Sequence, residues 1–251
     1  KVRKVQEFLG NKSAAEVLKS LASLAAVRSL GQLEPDKLKA FGLADSTKSL
    51  TLISGSSPRV FVIGSTTFGN MDQYLMDKQD RRVYVVRPRV LQDFSYAEFR
   101  WLERSLHGFE AQDFDRLAVV TKTGRKELVQ VNRRDPAATY WADATAPDKR
   151  KDFYRSWAHR LHALRVNDYL GAGLRPELLE PVCAVEYFLG GRRLGGSRLF
   201  RLAALAPGVP AAGTTPLQVG DFIAQSEQTR AYVRVPRHLG DEIARELPAL
   251  L

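Results

Sequence analysis

Two stretches far apart in the chain carry the same residues in the same order, and this repetition constrains the fold more than any other feature. Setting Thr66 on Thr214 without a gap aligns Thr67 with Thr215, Tyr74 with Phe222, Arg82 with Arg230 and Tyr84 with Tyr232. The match continues through Val85 with Val233, Pro88 with Pro236, Arg89 with Arg237, Leu91 with Leu239 and Asp93 with Asp241. Agreement at this density predicts a duplicated unit. The shared proline has a physical role, since it lacks a donor, ends a strand and pre-sets the turn into a helix. Arg89 with Asp93, and Arg237 with Asp241, then stand one helical turn apart as ion pairs.

The rest of the pattern is consistent with two such units. A capping box at Ser13-Ala14-Ala15-Glu16 opens an apolar-striped helix expected to run to Leu30, and Pro35 opens a short helix that Gly42 ends. Leu50 to Ser54 and Arg59 to Gly64 read as a hairpin, and Arg82 to Arg87 as a further strand. A second capping box at Ser95 predicts a helix that presents Phe99, Leu102 and Leu106 and stops at Gly108. Leu117 to Val131 alternates around Thr123-Gly124, the clearest hairpin signal in the chain. A long helix is expected from about Asp148 to Val166 and a short one at Pro176. Strands follow at Ala184 to Leu189, Leu199 to Leu205 and Ala231 to Val235, and a helix closes the chain. The predicted fold class is α+β, a tandem duplication of a helix plus antiparallel-sheet unit, with repeats at residues 1–112 and 113–251. Only Lys1 to Asn11 precede the first long helix, and the chain starts without Met. The expectation is a processed or truncated product whose first hairpin is partly missing upstream.

At 251 residues with 44% hydrophobic side chains, the chain can bury a sizeable core without metal or disulfide. Its single Cys183 lies in the apolar run Pro181 to Val185 and reads as a small core hydrophobe. The net charge of +10 favours an anionic partner such as nucleic acid, a headgroup or an acidic protein. The arginines are nevertheless dispersed, with no block of five or six like charges. No stretch has the roughly 20 apolar residues of a membrane-spanning helix.

The residues that could carry chemistry have simpler structural readings. His159 and His162 lie three apart, a metal-compatible spacing without a third ligand nearby, and packing is the simpler reading. His107 before Gly108 reads as a cationic cap at a helix end. Gly190 to Ser197 lacks the Lys-Ser/Thr ending of a phosphate loop and reads as a hairpin turn. The carboxylates Glu98, Glu103, Asp113 and Asp115 show no paired geometry. No catalytic residue, metal site or cofactor is assigned. Aromatics such as Tyr84, Tyr96, Trp101 and Tyr140 interleave with arginines as on a single-strand-binding surface, although core packing explains the same pattern. The candidate binding set is Arg81, Arg82, Arg100, Trp101, Arg104, Arg192 and Arg193.

Several short motifs resemble the domain-of-unknown-function family 4340. They are Leu38 to Leu43, Ile63 to Asn70 with Tyr74, Val83 to Val86, Leu106 to Phe109, and the region of Trp141, Trp157 and Leu164-Arg165-Val166. The resemblance implies a bacterial protein of the cell envelope, its body on the extracytoplasmic side and held by a transmembrane helix upstream of Lys1. It also implies partners among membrane proteins, ABC transporter components in particular, and it brings no catalytic residues. The functional expectation is therefore a non-enzymatic accessory or interaction module of a membrane assembly. The alternatives are a basic nucleic-acid-binding protein and a hydrolase built from distant carboxylates and histidines.

Overall fold

The computed structural model describes residues 7–54, 57–87, 91, 97–171, 174–204 and 216–251. The chain divides into two compact units, one of residues 10–102 and one of residues 1–9 with 103–251. Each builds an antiparallel sheet with helices against it, so the fold class is α+β. The expected boundary at 112/113 lies inside the larger of these units.

In the unit of residues 10–102, Asn11 caps helix α1 (Lys12–Ala22) by accepting from the Ala14 amide at 3.2 Å. Ser13 is the second residue of this helix, and the helix stops at Ala22 instead of reaching Leu30. Arg28–Gln32 forms strand β1, which pairs with β5 (Arg82–Val86), so cross-strand bonding overrides the helix propensity of the preceding alanines. After α2 (Pro35–Ala40) come β2 (Ser49–Ser54), β3 (Ser57–Thr66) and β4 (Gln73–Asp77), giving the sheet order β1-β5-β4-β3-β2. Both faces are covered. Leu50, Phe61, Leu75, Val86 and Leu91 form one core, and Leu38, Leu43, Val62 and Val83 form the other. The helix expected from Ser95 to Gly108 is present among the described residues only as the single turn α3 (Ala97–Arg100).

The larger unit opens with a meander of β6 (Arg116–Val120), β7 (Arg125–Val131) and β8 (Tyr140–Asp143). Helix α4 (Asp152–His162) follows, shorter at both ends than its amphipathic pattern suggests, and then the two-residue β9 (Asp168–Tyr169). The long hairpin β10 (Leu179–Leu189) and β11 (Arg192–Leu202) and the strands β12 (Phe222–Ser226) and β13 (Tyr232–Val235) lead into α5 (Arg237–Leu250). The sheet order is β8-β7-β6-β10-β11-β12-β13-β9. One face buries Leu117, Leu128, Tyr187, Leu199, Phe222 and Val233 with Trp157 of α4 and Ile243 of α5, and the Trp157 indole donates to the Ile243 carbonyl at 3.4 Å. Gly240 is required here, because a Cβ would stand 2.2 Å from the Phe222 ring. Pro236 sits at the N-cap of α5, as a strand-ending proline should, and Arg237 lies 3.8 Å from Asp241. Pro88, Arg89 and Asp93 lie outside the described residues.

The two sheets share a topology. α1, β1, α2 and β2 to β5 follow each other as α4, β9, a 3-10 turn at Pro176–Leu178 and β10 to β13 do, and in each set the first strand pairs with the last. The β4–β5 and β12–β13 hairpins also match in register, Met76 facing Val83 as Gln225 faces Tyr232. Arg81 and Arg230 close them in the left-handed region, at φ 56° and 54°, and each donates its amide to the carbonyl of Asp77 or Ser226. This geometry sets Arg81, not Arg82, on Arg230. The ungapped residue match is one residue out of step with the hairpins, and a one-residue slip exchanges the two sheet faces. Tyr84 accordingly faces Leu75, whereas Tyr232 faces Gln225.

Candidate functional site

The face of the eight-stranded sheet opposite α4 and α5 is only partly covered. At one end Leu170, Leu174, Leu179, Leu202, Leu217 and Ile223 close over it. At the other end the strand register lays out rows of charged side chains. One row runs Glu127, Ala118, Glu186, Gly196, and the next runs Arg125, Val120, Ala184, Arg198, Gln225. A third sets Arg116 opposite Phe188, whose ring it covers at 4.7 Å.

These charges form a chain of ion pairs. Arg116 lies 3.5 Å from Glu127, Arg125 lies 2.8 Å from Glu127 and 4.0 Å from Glu186, and Arg193 spans Glu186 at 3.0 Å and Glu227 at 2.5 Å. Glu227, and then Glu186, raise the Arg193 pKa above its ordinary value and keep the guanidinium charged. Gly196 makes this reach feasible, because a Cβ there would stand 3.0 Å from the Arg193 guanidinium and 2.8 Å from the Val185 carbonyl. Exposed pairs of this kind each contribute only about 0.2–1 kcal/mol, so stability is a poor reason for the arrangement. A depression of about 390 Å³ lies over it, lined among others by Val120, Ala184, Glu186, Arg193, Arg198 and Gln225. A smaller cleft of about 190 Å³, walled by His107, Phe109, Gly195 and Gln228, shares Gly196 and Glu227 with it.

Behind that cleft sits a buried aromatic cluster. His107 stacks on His162 with centroids 5.1 Å apart, and Phe109, Phe114 and Tyr187 surround the pair. Burial, then the neighbouring His162 and Arg165, push His107 down to about 3. The ring is neutral and buried, not the cationic helix cap expected, because residues 101–108 form no helix. Its Nε2 has no hydrogen-bond partner, and the Tyr187 hydroxyl meets Ser197 without reaching hydrogen-bond geometry. His162 bonds the Phe109 carbonyl through Nε2 at 3.0 Å, whereas His159 lies exposed on another side of α4. Among the described residues no three His, Cys, Asp or Glu side chains gather as a metal site.

The pattern of the family described as Domain of unknown function (DUF4340) matches residues 6–180. The chain belongs to the DUF4340 family. No curated protein and no solved structure matches it. The DUF4340-like motifs noted in the sequence have structural roles in these units. Gly42, at φ 65°, and Gly64 bring the end of α2 onto β3, where a Cβ on Gly64 would lie 2.5 Å from the Phe41 carbonyl. Phe41 then stacks on Tyr74 at 4.1 Å, and Leu106 to Phe109 supply the histidine–aromatic cluster.

The basic set read from the sequence is divided between the units. Arg81, Arg82, Arg100 and Trp101 belong to residues 10–102, while Arg104, Arg192 and Arg193 belong to the larger unit. Arg82 lies 3.9 Å from Asp80, and Arg104 donates to the Val166 carbonyl at 2.9 Å. Of the seven, Arg193 alone enters the ion-pair chain just described. Its partners Glu186 and Glu227, with Arg116, Arg125 and Glu127, are not legible in the sequence, because only the pairing of distant strands and the turn after β12 brings them together. Of the carboxylates considered as acids, Glu103 accepts from the Ser105 amide, Asp113 from the Glu110 amide and Asp115 from the Gly190 amide, and the Glu98 side chain lies outside the described residues. Cys183 is buried in the core, where desolvation pushes its thiol up to about 12. Among the described residues, no helix is long and apolar enough to cross a membrane.

Proposed function

We propose that this chain is a non-enzymatic interaction module of a bacterial membrane assembly, positioned on the extracytoplasmic side of the cell envelope. Its partner would bind the open face of the eight-stranded sheet. One observation carries the reading: Arg116, Arg125, Glu127 and Glu186 are joined by ion pairs to Arg193 and Glu227, and Glu186, Arg193, Arg198 and Glu227 line a depression of about 390 Å³. A surface of alternating sign fits a protein segment of mixed charge better than a uniform polyanion. The family resemblance supplies the partner class, a membrane protein such as an ABC transporter component. The nucleic-acid reading rests on the net charge of +10 and on arginines interleaved with aromatics, but Arg116, Arg125 and Arg193 on this face are already neutralised by carboxylates.

A duplicated origin of the two units belongs to the same proposal. It is supported by their common strand order and by the matching hairpins that Arg81 and Arg230 close.

Arg193→Glu tests the binding face. The side chain is 43% exposed, so the fold should persist, while a third carboxylate beside Glu186 and Glu227 inverts the local charge. Recovery of the membrane partner from detergent extracts is expected to drop at least about tenfold with an unchanged unfolding midpoint. Recovery equal to the unsubstituted protein would remove the face from consideration.

A further inference from the structure

β2 stands at the edge of the five-stranded sheet, and its sequence does nothing to blunt that position. Ser49-Leu50-Thr51-Leu52-Ile53-Ser54 contains no charge, no proline and no glycine, the composition of a strand prone to pair with another. Thr51 is exposed and Ile53 is 73% exposed. The opposite edge is treated differently, since β1 carries Arg28, has a register irregularity between Ser29 and Gly31, and presents Gly31 at φ 71°. The larger unit holds a strand in the equivalent place. There β10 is the counterpart of β2, and its outer side is taken by β6 in antiparallel register, Ala184 facing Val120 through Phe188 facing Arg116. Among the described residues no strand pairs with the outer side of β2.

The bonding pattern defines what can dock. The Ile63 amide donates to the Lys48 carbonyl, so Lys48, Leu50 and Leu52 direct their backbone groups at β3, and Ser49, Thr51 and Ile53 direct theirs outward. We propose that a second copy of this chain pairs with β2 in antiparallel register about a two-fold axis through Thr51. In that register Ser49 faces Ile53 of the second copy, Thr51 faces Thr51, and Ile53 faces Ser49. All three outward residues find partners, each pair exchanging both N–H···O bonds. Shifting the register by two residues leaves one of them unmatched, and shifting it by one places the apolar row on opposite faces. Leu50 comes opposite Leu52, continuing the core row of Leu50 and Phe61 into the second sheet. Self-pairing suits this strand in particular, because a chain of net charge +10 meets itself here without a charged side chain in the paired segment.

The test is sedimentation velocity on the 251-residue chain from micromolar to near-millimolar concentration, with three variants at exposed sites. Thr51→Lys places two ammonium groups opposite each other across the axis, and Thr51→Pro removes an outward amide that no intramolecular ladder bond uses. Ser20→Lys adds the same charge on the exposed side of α1. The unsubstituted chain and Ser20→Lys are expected to dimerise with rising concentration, and Thr51→Lys to raise the dissociation constant by at least about tenfold. Thr51→Pro should be monomeric with unchanged circular dichroism. A Thr51→Cys chain should link to itself through a short bismaleimide, since Cys183 is buried. A monomer at every concentration would overturn the proposal, whether the edge stays free or takes another protein's strand. A dimer untouched by Thr51→Lys and unlinked through Thr51→Cys would do the same.

Discussion

Replacing Arg234 with Ala is expected to destabilise the larger unit by about 3–5 kcal/mol, the range for removing one member of a buried ionic cluster. Arg234 leaves β13 with 11% of its side chain exposed and is hydrogen-bonded to Asp168 of β9, whose side chain is 10% exposed. Its other nitrogen lies 3.8 Å from Asp221 and donates to the Pro216 carbonyl at 3.3 Å. The loss is large because two carboxylates stay buried after the guanidinium has gone. It should therefore exceed the effect of breaking any pair on the open face, where water replaces the lost partner. Urea denaturation measures the difference. Adding Asp168→Asn should recover part of the loss, and an Arg234→Ala cost under about 1 kcal/mol would show that the cluster carries little of the sheet's stability.

Acid should weaken the same unit in a window set by the buried histidines. His107 has an ordinary value of 6.5 and falls to about 3 in the folded chain, chiefly through burial, and burial lowers His162 as well. The folded state therefore binds fewer protons than the unfolded state between these values. Stability is full above pH 6.5 and is lost as pH falls toward 3. His107 alone accounts for about 1.4 kcal/mol per pH unit inside the window, or roughly 2 kcal/mol by pH 5, where most carboxylates are still ionised. His107→Leu keeps the volume and removes its titration, so its stability should be nearly flat from pH 6.5 to 5 apart from the contributions of His162 and His159, which burial also lowers. An unchanged slope in that variant would assign the acid sensitivity elsewhere.

Where pattern and fold agree, local chemistry sufficed. The β6–β7 hairpin follows from alternation around Thr123-Gly124, the start of α2 from Pro35, and the start of α5 from Pro236. The strands that the pattern does not predict, β1, β4, β8, β9 and β12, have two to five residues and lack the alternation of a half-buried strand. Phe222, Ile223 and Ala224 in β12 are buried on both faces, which erases period two. Leu30 sits at the register irregularity of a strand because β5 offers its neighbours Ser29 and Gly31 backbone partners that no helical periodicity reveals. His107 illustrates the limit for site residues. Its neighbour Gly108 suggested a cap, while its true surroundings are His162 and Tyr187, distant in sequence. Arg193 stands out in the sequence by its charge, but its partner Glu186 comes within reach only through the β10–β11 pairing that sets Gly196 opposite Glu186.

Photo-crosslinking in the native host cell tests the binding face most directly. A benzophenone side chain in place of Val120 stands in the depression on the open face, and one in place of Arg245 stands on the exposed side of α5. The expected result is a crosslink from position 120 to an integral membrane protein, absent from position 245 and abolished by Arg193→Glu. Equal crosslinking from both positions, or capture of nucleic acid from position 120, would contradict an interaction module that works through this sheet.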